Sequence, residues 1–317
     1  MTAKREVSVL GAFAALLALL AVAAPDFFAA ANLRAIALKE AATLVAAVGM
    51  TLVILARHID ISIGAQFSIC GVVAALLGKA GVALPLVVLG TLGAGAALGA
   101  LNGALVAFGR LPSIVATLAT MVGLDAALKW ERSGQAVSNM PETFYFAGLG
   151  QGTGQGLVVA VALGVFAAFA WGLRSLAAGR AIYAVGSDVE AARLAGIRPA
   201  RVVFGVFALM GVLAALAALL TALQFRTIQP NEGRGLELKV IAAVVVGGVA
   251  VSGGRGTLWG ALFGVLLLGS IGTALVFLKI EPYWEKAIQG TIILVAVASD
   301  ALNLRKKRDA GASVVQP

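Results

Sequence analysis

LPLVVLGTLGAGAALGALNGALVAF, residues 84–108, runs 25 positions without one charged side chain. As a helix at about 1.5 Å per residue it is longer than the ~30 Å hydrocarbon core of a bilayer. Backbone amides can enter lipid only when they are paired within their own segment, so a stretch like this reads as a membrane-spanning helix. The same signature recurs on both sides of it. Cutting the chain wherever charges, prolines or polar clusters interrupt gives ten apolar segments, at 7–24, 36–56, 61–78, 84–108, 112–129, 157–173, 202–223, 238–251, 257–278 and 285–302. The second and third lie very close together, as do the eighth and ninth, so either pair reads as a broken or re-entrant helix. The expectation is an all-α, polytopic membrane helix bundle of eight to ten transmembrane helices, filling residues 1–317 as one domain.

Composition agrees with that solvent. Of the residues, 61% are apolar and 12% charged, where a soluble domain carries about 25% charge. One cysteine, Cys70, and one histidine, His58, exclude an intrachain disulfide, a Cys/His zinc cluster and a paired catalytic imidazole. No catalytic residue and no metal site is expected. The net charge of +9 comes from bases scattered between apolar runs, without the aromatic interleaving of a nucleic-acid surface, and is assigned to positive-inside topology. With the amino terminus inside, that face collects Lys4, Arg5, Arg57, Arg110, Arg174, Arg180, Arg193, Arg198, Arg201, Arg255, Arg305, Lys306, Lys307 and Arg308. Both termini are therefore expected in the cytoplasm. Lys4 and Arg5 ahead of an apolar run ending in Ala21-Val22-Ala23 resemble a signal peptide. The length of that run and the many spans after it favour a retained helix.

Glycines set the expected packing. Gly95, Gly99 and Gly103 recur every four residues in the fourth segment, as do Gly256, Gly260 and Gly264 at the start of the ninth. That spacing puts each trio on one helix face, where a neighbouring backbone can approach closely. The two near-broken regions also look alike: Ile59-Asp60-Ile61-Ser62-Ile63-Gly64 aligns with Val249-Ala250-Val251-Ser252-Gly253-Gly254 at an offset of 190 residues. Such matching interruptions suggest an internal duplication of the kind from which transporters build their pathway.

Soluble chemistry is sparse. The Gly78-Lys79 pair is followed by Ala80 and has Val73 where a phosphate loop needs its first glycine, so no nucleotide site is expected in this chain. Gly152-Thr153-Gly154-Gln155-Gly156 reads as a flexible extracytoplasmic loop. Asp125 is the carboxylate identified inside a span, with Lys129 one turn on and Trp130 beside it, a pattern that reads as an ion pair near the interface. Asp60 stands at a helix break, able to pair with Arg57, cap the next helix or serve a pathway. His58, beside Arg57, reads as a solvated loop residue. The loop at 174–201 predicts a short helix opened by a capping box, Ser187 accepting from the Glu190 amide while Glu190 reaches back, and closed by Gly196. Such a helix, carrying Ala191, Ala192 and Arg193 between charged flanks, is equally a connector or a docking knob for a partner.

The run GRAIYAVGSDVEAARLAGI, residues 179–197, resembles the cytoplasmic EAA-type coupling loop of ribose-family permeases of bacterial ABC importers. Thr51-Leu52-Val53-Ile54 leading into Ile59-Asp60-Ile61-Ser62-Ile63-Gly64 is similar to that family's IDLSVG segment. Leu101-Asn102-Gly103, the run at 111–118, Gly247-Gly248 and Ser252-Gly253-Gly254-Arg255-Gly256-Thr257 follow in family order. Arg57-His58 departs from the commoner Gly-Gly, and Gln229-Pro230-Asn231 with Gly235-Leu236-Glu237 looks closest to autoinducer-2 and rhamnose permeases. The resemblance implies a permease subunit of the bacterial inner membrane that pairs with a second permease, identical or not. It also implies two cytoplasmic ATPases, which carry the ATP and Mg, and a periplasmic binding protein that hands over a monosaccharide. On that resemblance Ser187, Glu190, Ala191, Ala192, Arg193 and Gly196 form the coupling helix, and Asp60, Ser62 and Gly64 belong to the broken helix near the pathway. Gln66, Ser68, Asn102 and Thr117 are candidate lining groups or interhelical glue. The competing expectation is an ion-coupled secondary transporter working without an ATPase, which needs a membrane carboxylate such as Asp125 or Asp60 in its pathway.

Overall fold

The structure, a computed structural model, describes residues 2–281, 283–291 and 294. In chain order its helices are α1 (Thr2–Ala23), α2 (Ala30–Leu55), α3 (Ile63–Lys79), α4 (Leu84–Ala107), α5 (Ser113–Arg132), α6 (Gln151–Ser175), α7 (Ala177–Ser187), α8 (Val189–Leu194), α9 (Pro199–Ala222), α10 (Leu236–Val246) and α11 (Leu258–Phe277). Six of them, α2, α4, α5, α6, α9 and α11, are long and apolar enough to cross a membrane, and 7–23 and 63–79 are shorter apolar helices. The molecule is a polytopic helical bundle. Of the tenth segment, 285–302, only 285–291 and 294 fall within the described residues, and the basic cluster at 305–308 lies outside them.

Equally apolar helices take different places. The most apolar stretch of α2 is 89% buried, whereas that of α4 is 22% buried, because lipid tails and protein interior are similar solvents for a leucine. What sorts them is shape. On α4, a Cβ at Gly95 or Gly99 would run into the backbone of Gly211 or Phe207 on α9, and one at Gly103 would meet Phe204. The α4/α9 crossing is thus a backbone-to-backbone contact made possible by the predicted trio and by Gly211, its counterpart on α9.

The two suspected breaks are real interruptions. Helix α2 stops at Leu55 and α3 starts at Ile63; α10 stops at Val246 and α11 starts at Leu258. At 11 residues, α10 is about 16 Å long, too short to cross a bilayer. It packs back on α11 as an antiparallel hairpin, with Gly247 against Gly260 and the Ala243 carbonyl over Gly264. Gly256, expected on the same helix face, instead lies before the helix, at φ 142° and wedged against Val249. The segment 238–251 is correspondingly shorter as a helix than its apolarity suggests, since Gly248, at φ 92°, turns the chain out.

A second correction concerns 152–156. These residues form the opening turns of α6, not a flexible loop. Gly154 lies directly on the Phe146 side chain, and that contact, with the Gly154 amide bonded to Gly150 O at 2.8 Å, offsets the backbone entropy that made the glycines look mobile. A two-residue antiparallel ladder, β1 (Val137–Ser138) with β2 (Thr227–Ile228), ties the α5–α6 connection to the α9–α10 connection.

Candidate functional site

The linker 56–62 is held by a polar cluster assembled from three elements. Asp60 Oδ1 accepts from the Ser62 amide at 2.9 Å and from Ser62 Oγ at 2.6 Å, and its Oδ2 accepts from Gln66 Nε2 at 3.0 Å. Gln66 and Asn102 of α4 also donate to Ser62 Oγ, at 2.8 and 2.7 Å. From α5, Thr117 Oγ1 accepts the Ile61 amide at 3.1 Å and Ser113 Oγ accepts the Ile59 amide at 3.3 Å. The expected set Asp60, Ser62, Gln66, Asn102 and Thr117 therefore converges, and each of the five is fully buried. A buried carboxylate in this setting needs donors, and Asp60 has three, none of them from Arg57. Gln66 Oε1 and Asn102 Oδ1 keep no partner. Gly64 is packed on Gly233 and Glu237, and Ser68 Oγ accepts the Gly233 amide at 2.9 Å, which moors the chain ahead of α10 against α3.

The segment at 174–201 folds as two helices. α7 ends at Ser187, and α8 is capped by Asp188, whose Oδ1 accepts from the Glu190 and Ala191 amides at 2.9 and 3.0 Å. The predicted capping box is thus displaced by one residue: Ser187 closes the preceding helix, and Glu190 pairs with Arg193 instead of reaching back. A carboxylate one residue later competes better for the orphan amides, since it also carries charge toward the positive helix end. Gly196 takes the left-handed stop, φ 82°. Ala192 is buried, while Glu190, Ala191, Arg193 and Leu194 are exposed.

The α7 terminus wedges between the two helix breaks. A Cβ on Gly186 would strike the Leu55 carbonyl at the end of α2 and the Gly254 amide of the second break. These two are themselves bonded, Gly254 N to Leu55 O at 2.9 Å. Tyr183 Oη donates to Gly256 O at 2.8 Å. The second break thus meets the end of α2, where the first break begins, at the root of α8.

Sequence reasoning missed a salt bridge inside the bundle. Glu40 of α2 is 3% exposed and accepts from Lys239 Nζ of α10 at 2.7 and 2.8 Å. Both lie in segments taken as spans, and an ionisable residue in a span was itself the available signal. No Asp125–Lys129 bond forms among the described residues; Lys129 is exposed and Asp125 half-buried, where an i,i+4 pair gains too little to fix two side chains. His58 lies in the linker as expected, but half-buried instead of freely solvated, its ring 5.9 Å from that of Phe207. Burial, then the charge of Arg57, hold its pKa below the ordinary imidazole value. Among the described residues, no three of His, Cys, Asp or Glu gather where they could hold a metal. The arrangement is one of hydrogen bonds and mechanical contact.

Residues 32–297 match the family described as branched-chain amino acid transport system / permease component. The ribose import permease protein RbsC of Escherichia coli is 35% identical over 289 residues, 90% of each chain. Its namesake in Haemophilus influenzae is 35% identical over 295 residues, 91% of each. The autoinducer 2 import system permease protein LsrC of Salmonella typhimurium is 36% identical over 281 residues, covering 86% of this chain and 80% of that one. No solved structure matches. Family and relatives, matched along nearly the whole bundle including both breaks and α8, place the chain: it belongs to the permease-component family of membrane transport systems, as a ribose-type permease of the ABC-importer kind.

Proposed function

We propose that this chain is the membrane-spanning subunit, a single permease domain, of an importer for a monosaccharide, in the class of rhamnose, ribose or autoinducer 2. In this reading it lies in the inner membrane with both termini cytoplasmic and pairs with a second permease. It takes sugar from a periplasmic binding protein and docks cytoplasmic ATPases. In this reading the chain needs no catalytic group and no cofactor of its own, since ATP and Mg belong to the ATPases. The observation that carries the reading is the seating of Gly186 on both Leu55 and Gly254. Force applied to α8 from below reaches both helix breaks through backbone contacts, which are stiff, so docking and release can rock the halves as rigid bodies.

Ser187, Glu190, Ala191, Ala192, Arg193 and Gly196 make the coupling surface in this scheme. Leu194, 81% exposed at the end of α8, adds an apolar contact. The Asp60, Ser62, Gly64, Gln66, Asn102 and Thr117 cluster is the closed inner end of the pathway, where amide oxygens without partners are suited to passing sugar hydroxyls once the halves separate. The glycines at 95, 99, 103, 256, 260 and 264 provide close packing. An ion-coupled carrier calls for an unpaired carboxylate in the pathway itself; Asp60, inside the polar cluster, has three donors and Glu40 is paired with Lys239, while the unpaired Asp125 stands eight residues beyond Thr117 on α5, outside the cluster, which favours the importer. The test is Glu190→Lys: the variant should reach the membrane in normal amount yet lose stimulation of ATP hydrolysis by sugar-loaded binding protein. Unchanged stimulation would sink the coupling assignment.

A further inference from the structure

On the face of the bundle that carries α8, Arg57 and Arg110 line one open cleft of about 520 Å³, together with His58, Leu111, Ser113 and Ile114. Both arginines are exposed, and both have left-handed backbone, φ 70° and 54°. A residue with a Cβ adopts that conformation only at a cost, and such positions collect at functional sites. Neither guanidinium has an ion pair or hydrogen bond among the described residues, whose side-chain ion pairs are Arg193 with Glu190, Arg226 with Glu142 and Lys239 with Glu40. The nearest carboxylate in sequence, Asp60, is fully buried with its oxygens committed to Ser62 and Gln66.

The cleft also receives the start of α5, a 20-residue helix whose N-cap is Pro112 and which no side chain caps. Its first-turn amides and its positive dipole end are open to an acceptor. Two planar cations, each with five donors, therefore share a cleft with uncapped amides and without a counter-charge, and guanidinium geometry suits tetrahedral oxyanions. Leu111 and Ile114, 45% and 50% exposed, form an apolar lip beside the charges.

We propose that this cleft binds a phosphate-bearing anion between Arg57, Arg110 and the first turn of α5. Two sources share that chemistry: the headgroup of an anionic phospholipid, whose chains would lie along Leu111 and Ile114, and a soluble phosphate monoester. The site does not depend on transport or on which sugar is carried.

The experiment measures binding and thermal stability on the purified full-length protein. One arm titrates glucose 6-phosphate in detergent against chloride at matched ionic strength; the other compares nanodiscs of phosphatidylcholine with discs containing phosphatidylglycerol. A saturable rise in Tm is expected in at least one arm, and the responding arm names the source. Arg57→Gly and Arg110→Gly remove one guanidinium each and relieve the left-handed backbone. Both should therefore match or exceed the wild-type Tm in chloride or phosphatidylcholine while weakening the anion response at least about tenfold, the equivalent of one lost charged hydrogen bond. Absence of a saturable response in both arms overturns the proposal, as does a response that both glycine variants keep in full.

Discussion

Lys239 Nζ donates to both carboxylate oxygens of Glu40, at 2.7 and 2.8 Å, and so fixes the short helix α10 to the central helix α2. Gly269 on α11 leaves the room that the Glu40 carboxylate occupies, so three elements depend on one ion pair. Removing one member of a buried pair strands the other charge, at a cost of about 3–5 kcal/mol, whereas removing both is often close to neutral. Lys239→Met should therefore lower the melting temperature in detergent sharply, and Glu40→Gln combined with Lys239→Met should recover most of the loss. A double variant no better than the single one would show that the pair does more than satisfy its own charges.

The α4/α9 crossing gives a prediction with an internal control. A Cβ at Gly99 would overlap the Phe207 carbonyl and the Gly211 backbone, whereas Gly93, on the same helix, has nothing within 4 Å. Gly99→Ala must push two backbones apart, an overpacking cost of about 1–3 kcal/mol. Gly93→Ala should be neutral or stabilising by up to about 1 kcal/mol through helix propensity. Thermal unfolding of the two variants side by side checks the contrast; equal behaviour would mean that the crossing is looser than the contact implies.

Much of this architecture was legible in the sequence, and the exceptions share a cause. Charge-free runs located the helices because lipid leaves the backbone no alternative pairing, and four-residue glycine spacing marked the close-packed face of α4 without naming α9 as its partner. Burial was not legible, since α2 and α4 are both apolar and only the neighbours decide which one meets lipid. The polar cluster was recognised as a group of candidates, yet its closure around Asp60 depends on Asn102 and Thr117 arriving from two other helices. Glu40 and Lys239 are 199 positions apart, and no local pattern joins them. The helix cap was misplaced by a residue because Ser187 and Asp188 are both good caps, and the choice follows from how far α7 continues.

That choice can be measured. Asp188 supplies the side-chain oxygen for the Glu190 and Ala191 amides, and loss of an N-cap costs about 1 kcal/mol. Asp188→Ala should accelerate amide hydrogen exchange across α8, while Ser187→Ala, which keeps the Cβ packed near Gly254, should leave α8 exchange unchanged. The reverse ranking would restore Ser187 as the cap.

Thr117 separates a structural staple from a pathway group. Its Oγ1 accepts the Ile61 amide at 3.1 Å and donates to Ser113 O at 2.8 Å, so it joins the α5 start to the first break. Thr117→Val keeps the shape but leaves the half-buried Ile61 amide without an acceptor, which costs about 1–3 kcal/mol. Thr117→Ser keeps the oxygen and loses one methyl group, about 1 kcal/mol or less. If the staple is its whole role, sugar uptake per folded transporter should follow stability, with serine near wild type and valine impaired only as far as it unfolds. If the hydroxyl also meets the sugar in transit, valine should slow uptake at temperatures where the protein remains fully folded, and that split between rate and stability is the measurement that distinguishes them.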